Sequence, residues 1–162
     1  MGWISSSSND HDGDGCRDAT EDDDKDNDNV DDVDDDCADG DTGWTSTGLT
    51  DNDGDGCQDA STEDDDDDND GVLDVSDSCQ AGDIGWISDQ ATTDHDEDGC
   101  QDSGEDPDDD NDGVADAFPD SCPTGDLGWT SSPSNDYDGD GCRDATEDDD
   151  KDNDDVDDVD DD

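Results

Sequence analysis

The sequence predicts an irregular fold: a tandem array with little regular secondary structure and no oil-drop interior. Three observations carry that expectation. Asp and Glu number 62 against 4 Lys and Arg, a net charge of -58 over 162 residues, and only 22% of residues are hydrophobic. A Trp returns at Trp3, Trp44, Trp86 and Trp129, in step with two cysteine series, Cys16/Cys57/Cys100/Cys142 and Cys37/Cys79/Cys122. The acidic stretches between them show neither a helical nor an alternating apolar period. Their Gly, Asn, Asp and Ser favour turns, partly through side-chain bonds to nearby backbone. Single helical turns are expected after the first acidic loops, as in Asp144-Ala-Thr-Glu147.

An apolar core cannot hold such a chain. Burying one Trp removes roughly 200 Å² from water, about 5 kcal/mol at ~25 cal/mol per Å². Ordering each backbone residue costs about 1–2 kcal/mol, and four tryptophans fall far short of that total. In random order this composition would read as intrinsic disorder; the periodic Asp, Cys and Trp spacing argues for a fold instead. Two bare charges 4 Å apart in water repel by about 1 kcal/mol, so without divalent cations the chain is expected to be largely unfolded. The sign of the charge argues against nucleic-acid and anionic membrane partners. No apolar run approaches the ~20 residues that span a bilayer, and no secretory signal is visible before the repeats begin.

Repetition divides the chain into residues 1–40, 41–82, 83–125 and a truncated 126–162. Each repeat reads Gly-Trp, a Ser/Thr-rich stretch, two acidic loops, a Cys and a Gly-containing connector such as Gly82-Asp-Ile-Gly85. Residues 9–36 and 135–162 differ only at His11/Tyr137 and Asn29/Asp155, the mark of a duplicated three-repeat block. Both ends look arbitrary with respect to the repeat, which predicts a segment of a longer array.

The acidic loops carry the chemistry. Asp10-His-Asp12-Gly-Asp14-Gly15-Cys-Arg-Asp18-Ala-Thr-Glu21 has the spacing D-x-[DN]-x-[DN]-G-x5-E of a calcium loop. Alternate short carboxylates wrap one cation, Gly at position 6 permits a sharp turn, position 7 offers its carbonyl, and an acid at position 12 closes the shell. The first loop supplies, in successive repeats, Asp10, Asp12, Asp14, Cys16, Asp18 and Glu21; Asp51, Asp53, Asp55, Cys57, Asp59 and a late Glu63; Asp94, Asp96, Asp98, Cys100, Asp102 and Glu105; Asp136, Asp138, Asp140, Cys142, Asp144 and Glu147. The second loop supplies Asp24, Asp26, Asp28, Val30, Asp32 and Asp35; Asp66, Asp68, Asp70, Val72, Asp74 and Asp77; Asp108, Asp110, Asp112, Val114, Asp116 and Asp120, the last standing in because Pro119 occupies position 12; Asp150, Asp152, Asp154, Val156, Asp158 and Asp161. Cys and Val enter through backbone carbonyls.

Six to eight hard oxygens in flexible geometry suit Ca2+, whereas Mg2+ keeps its waters and Zn or Cu prefer softer donors. About eight or more calcium ions are expected. Eight ions carrying two charges each would offset only 16 of the 58 negative charges, so further ions are expected, bridged by carboxylates such as Asp22 and Asp23. Salt adaptation would explain the acidity without explaining the spacing. EF-hands and dockerin modules need flanking amphipathic helices, and Gly2-Trp-Ile-Ser-Ser-Ser-Ser is not one.

The cysteines lack C-x-x-C spacing and suggest disulfides of an oxidising compartment. Two registers remain open: Cys16–Cys37, Cys57–Cys79 and Cys100–Cys122 with Cys142 left over, or Cys37–Cys57, Cys79–Cys100 and Cys122–Cys142 with Cys16 left over. Either way a bridge closes about 20 residues and stabilises by roughly 3 kcal/mol, and the odd cysteine is expected to pair beyond this segment. The tryptophans are expected to form satellite cores against the disulfide and neighbouring Leu, Ile or Val; an exposed aromatic row binding glycans is the alternative. His11 and His95 interchange with Asn52 and Tyr137, which reads as an outward, non-ligand position. No nucleophile–base pair or phosphate loop is present, so no enzyme is expected. The Ser/Thr clusters Ser5–Ser8, Thr45–Thr47 and Ser131–Ser134 are candidate O-glycosylation sites.

Asp66 to Asp77, with the pattern D-x-D-x-D-G-x-x-D-x-x-D, and Cys122-Pro123 in the connector resemble thrombospondin type 3 repeats over essentially the whole chain. Gly-Trp-x-Ser with Asp-Gly-Asp-Gly-Cys-Arg-Asp-Ala resembles the variant arrays of microbial surface proteins. The resemblance implies a chain wrapped around a line of calcium ions and stapled by disulfides into an elongated rod, in the register Cys37–Cys57. Asn29 and Asp155 at position 6, and the late acids Glu63 and Asp120, depart from the family pattern. The function expected is an extracellular, cell-surface structural protein, a stalk or filament body stiffened by calcium and self-associating into filaments. The alternative is an adhesin or matrix module engaging glycans or mineral.

Overall fold

The computed structural model describes residues 3–117, 119–154 and 156–159. No helix or strand forms among them; turns and bends account for the chain. Two compact units are present: Met1–Ser76 with Gln80–Gly85, and Asp77–Cys79 with Trp86–Asp162. Among the described residues no helix is long and apolar enough to cross a membrane. The expected helical turns do follow first loops, where Glu21 and Glu147 N–H groups donate to the Arg17 and Arg143 carbonyls at 2.9 Å and Glu105 N–H donates to Gln101 at 3.0 Å.

The interior is made of carboxylates. The largest fully buried side chains are Asp10, Asp26, Asp28, Asp51, Asp68, Asp70, Asp94, Asp110, Asp112 and Asp136. Buried hydrophobic residues, among those described, are Cys57, Cys100, Trp129 and Cys142. Part of the expected satellite cores is missing: Leu49 is 93% and Ile4 84% exposed, and Ile84 and Ile87 are also exposed, so these four cover no Trp. Single apolar side chains on connectors have no second layer to cover them. Trp3, Trp44 and Trp86 are half-buried rather than an exposed row. The Arg17 guanidinium lies 5.1 Å from the Trp3 ring and Arg143 lies 5.9 Å from Trp129, a cation–π arrangement.

Three disulfides staple the fold: Cys37–Cys57, Cys79–Cys100 and Cys122–Cys142, with Cys16 free. Cα separations of 5.1–5.2 Å fall within ordinary disulfide geometry. Each bridge joins the end of one second loop to position 7 of the next first loop. Backbone bonds run beside it, from Asp36 N–H to Asp55 O at 2.8 Å, from Ser78 to Asp98 at 2.7 Å and from Ser121 to Asp140 at 2.7 Å.

Candidate metal centre

One hydrogen-bond plan builds every acidic loop. The N–H of position 9 donates to the carbonyl just before position 1 in all eight loops, from Asp32 to Asp23 at 2.7 Å through Asp18 to Asn9 at 3.3 Å. The position-2 N–H returns a bond to the position-9 carboxylate, as from Lys25 to Asp32 and Asn52 to Asp59, both at 3.1 Å. Position 5 accepts from the position-7 N–H at 2.6–3.0 Å, as Asp14 does from Cys16 and Asp98 from Cys100. Position 1 accepts from position 6, as Asp66 does from Gly71 at 3.1 Å and Asp108 from Gly113 at 3.0 Å. Asp is required because its carboxylate can reach backbone two to five residues ahead, an Asx-type turn, and still present a second oxygen inward.

Carboxylate oxygens of positions 1, 3 and 5 converge. Asp10, Asp12 and Asp14, then Asp24, Asp26 and Asp28, then Asp51, Asp53 and Asp55, then Asp66, Asp68 and Asp70 each bring one carboxylate oxygen apiece within 4.8 Å of one another. The Asp24 Oδ1, Asp28 Oδ2, Asp66 Oδ1, Asp108 Oδ1 and Asp112 Oδ2 atoms are buried without any hydrogen-bond donor. Burying an anion unpaired is prohibitive, so a cation or protons must sit there. Oxygen-only donors in this number fit Ca2+.

Position 12 of the second loop behaves as a closing ligand would. Asp35 is buried, one oxygen accepts from Cys37 N–H at 2.6 Å, and Oδ2 lacks a donor. Asp120 repeats this beside Pro119: it accepts from Cys122 N–H at 2.7 Å and leaves Oδ2 undonated. Asn29, standing for Gly at position 6, takes φ 79° and still donates to Asp24 at 3.2 Å; Asn tolerates this left-handed region. The counterpart Asp155 and the closing Asp161 lie outside the described residues.

Two of the first-loop glutamates, Glu63 and Glu147, also reach the preceding connector through Oε1, while Glu63 Oε2 is buried without a donor. Glu63 Oε1 accepts from Asp41 N–H in the preceding connector. Glu147 Oε1 accepts from Asp126 N–H at 2.7 Å and its Oε2 from Arg143 N–H at 3.2 Å. Gly40 and Gly125 make room: a Cβ at Gly40 would lie 2.7 Å from Glu63 Oε1 and 3.0 Å from Asp26 Oδ2. The single helical turn after position 9 aims the Glu back along the chain. The position-9 residues serve as braces through one oxygen. His11 and His95 are not outward: both are half-buried and their Nε2 atoms lie 2.8 and 2.9 Å from the Gly40 and Gly125 carbonyls, as Asn52 Nδ2 lies 3.1 Å from Gly82 O.

Two sets of residues escape a loop-by-loop reading. Asn27, Asn69, Asn111 and Asn153, at position 4 of the second loops, adopt φ of 54–62°. Each donates from Nδ2 to position 3 of the preceding first loop: Asp12, Asp53, Asp96 and Asp138. Ser46 and Ser88 hydroxyls donate to Asp51 and Asp94 at 2.5 and 2.6 Å, and Ser131 to Asp136. Strict recurrence at one offset was the available signal. Asn69→Ala is expected to lower the melting point of the calcium-loaded chain by the equivalent of about 1–2 kcal/mol, from a lost bond to a charged acceptor and a Cβ without its amide in the left-handed region. Asn69→Gly, which relieves the backbone term, should recover part of that loss in the same thermal scan.

Burial raises several of the inner carboxylates. It pushes Asp35 and Asp112 up to about 6, against a Cys37 or Val114 N–H bond that lowers them. Asp53 and Asp96 are also pushed up to about 6 by burial. Asp67 rises to about 7 through burial first and the adjoining Asp74 second. A raised folded-state carboxylate stabilises the fold fully below its ordinary value of 3.8 and loses that contribution as pH rises through about 6 to 7. In chelator the chain is therefore expected to be more compact near pH 4 than at pH 7.5. Calcium must displace those protons, so its apparent affinity should fall as pH drops through the same window. Circular dichroism in chelator and calcium titrations across pH 5–8 check both directions.

Against known proteins, no family model matches this chain, and no curated protein matches it either.

Proposed function

We propose that this is an extracellular calcium-binding structural repeat protein, a stalk or filament body whose stiffness comes from bound Ca2+. The observation that carries the reading is an interior of aspartates in which several buried oxygens, Asp10 Oδ2, Asp28 Oδ2 and Asp112 Oδ2 among them, have no donor. At neutral pH such an interior needs cations to offset its charge, and an extracellular millimolar calcium supply matches weak, repeated oxygen sites. Disulfides at each repeat junction suit an oxidising compartment. Stacked repeats that contact only neighbours let length grow without a new core, which is what a stalk or filament needs. The resemblance to thrombospondin type 3 repeats points the same way. Electron microscopy and size exclusion of the native material, with calcium and with excess chelator, test it. Rigid particles or filaments that depend on calcium are expected; particles unchanged in chelator would sink the reading. For the adhesin alternative, the half-buried Trp3, Trp44 and Trp86 and the buried Trp129 count against an exposed aromatic face, and engagement of glycans or mineral through the calcium line stays as its second route.

A further inference from the structure

At the short acidic link between the two loops of the second repeat, Asp64 and Asp67, which lie outside positions 1, 3 and 5 of either loop, gather beside the two position-9 braces Asp59 and Asp74. Asp59, Asp64 and Asp67 each bring a carboxylate oxygen within 4.8 Å of the others. Asp67 occupies position 2, outside the alternating ligands at positions 1, 3 and 5. Its N–H donates to Asp74 Oδ1 at 3.1 Å, which draws Asp74 to the same place. Asp64 is only 9% exposed. One of its oxygens accepts from Asp66 N–H at 3.0 Å, and Oδ2 is buried without a donor, as is Asp67 Oδ1. The third repeat repeats the arrangement: Asp109 N–H donates to Asp116 at 3.1 Å, and Asp106 Oδ2 and Asp109 Oδ1 are buried without donors.

The other two repeats reveal what belongs there. The residue equivalent to Asp67 and Asp109 is Lys25 in the first repeat and Lys151 in the fourth. The Lys25 ammonium lies 3.0 Å from Asp32 Oδ2, the equivalent of Asp74, and Asp18, the equivalent of Asp59, adds to the field around it. Lys151 pairs with Asp158 in the same way. Two repeats thus carry their own cation at the junction, and two present a fourth carboxylate in its place. Replacing an ammonium by a carboxylate changes the local charge by two, the charge of one divalent ion.

We propose that the junctions of the second and third repeats each bind an additional hard divalent cation of the calcium type, through Asp59, Asp64, Asp67 and Asp74 in one and Asp102, Asp106, Asp109 and Asp116 in the other, at the place where Lys25 and Lys151 supply an ammonium in the first and fourth. The inference rests on calcium occupying the loops, and adds a third kind of site to them.

Counting bound Ca2+ per oxidised chain by equilibrium dialysis tests it. Asp67→Lys copies a side chain that the fold already accepts at this position, and is expected to bind one ion fewer than the parent chain. Lys25→Asp is expected to bind one more. Equal counts in the parent and both variants would overturn the junction sites while leaving the loop sites standing; a parent chain that binds no calcium would overturn both. If Asp67→Lys fails to fold in calcium, the Lys25→Asp count decides alone.

Discussion

Excess chelator at pH 7.5 is expected to unfold this chain between its disulfides. Its radius of gyration should rise toward the roughly 42 Å of an unfolded chain of this length, and amide protection in the loops should vanish. The reason is the charge balance. The formal charge is -58, and the most deeply buried side chains are aspartates. Close carboxylates repel by about 1 kcal/mol per 4 Å pair even in water and by more where water is excluded. No apolar layer compensates, since Val33, Leu49 and Val75 lie on the surface. Small-angle scattering with and without calcium measures the change. The three disulfides should keep the chelated chain somewhat smaller than its reduced form, because each bridge restricts about 20 residues.

Gly56→Ala should be among the most damaging single methyl additions in the first compact unit. Gly56 sits at position 6 with φ 88°, where a Cβ costs roughly 1–2 kcal/mol. Its added Cβ would also lie 2.6 Å from Asp35 Cγ. Asp35 would have to move, and it is the buried acid at position 12 of the preceding second loop. The substitution therefore strains one loop and opens another, beside the Cys37–Cys57 bridge. A loss of about 3 kcal/mol or more is expected, combining the backbone term with a displaced closing carboxylate. Calcium affinity should fall together with stability. Gly54→Ala is the control: its φ is 79°, but no atom lies within 4 Å of its Cβ, so only the backbone term should appear. Equal losses in the two variants would show that Asp35 does not matter.

Much of the site was legible because its contacts are short in sequence. Asp10, Asp12 and Asp14 converge since alternate residues with two- to five-residue Asx bonds can fold one way only. The absence of helix and strand among the described residues followed from the missing apolar period. The disulfide register was not settled by spacing, since both pairings close loops of similar length; Cys37–Cys57 is the one in which Asp36 N–H can also reach Asp55 O. Contacts between loops were invisible for the same reason. The Asn27 amide crosses 15 residues to Asp12, and Glu63 crosses 22 to Asp41. His11 appeared outward because it varies between repeats, yet His, Asn and a connector carbonyl satisfy the same hydrogen bond. Leu, Ile and Val were assigned to small cores on the habit of ordinary proteins, whereas Leu49, Ile84 and Val75 are exposed and buried carboxylates take the interior instead.

A crystal structure of the oxidised chain grown with calcium tests the central claim most directly. The account predicts an ion among Asp51, Asp53 and Asp55, with carboxylate oxygens and the Cys57 carbonyl at about 2.3–2.6 Å, and the same in every loop. Water alone between those oxygens, or aspartates turned out to solvent around an apolar centre, would contradict it.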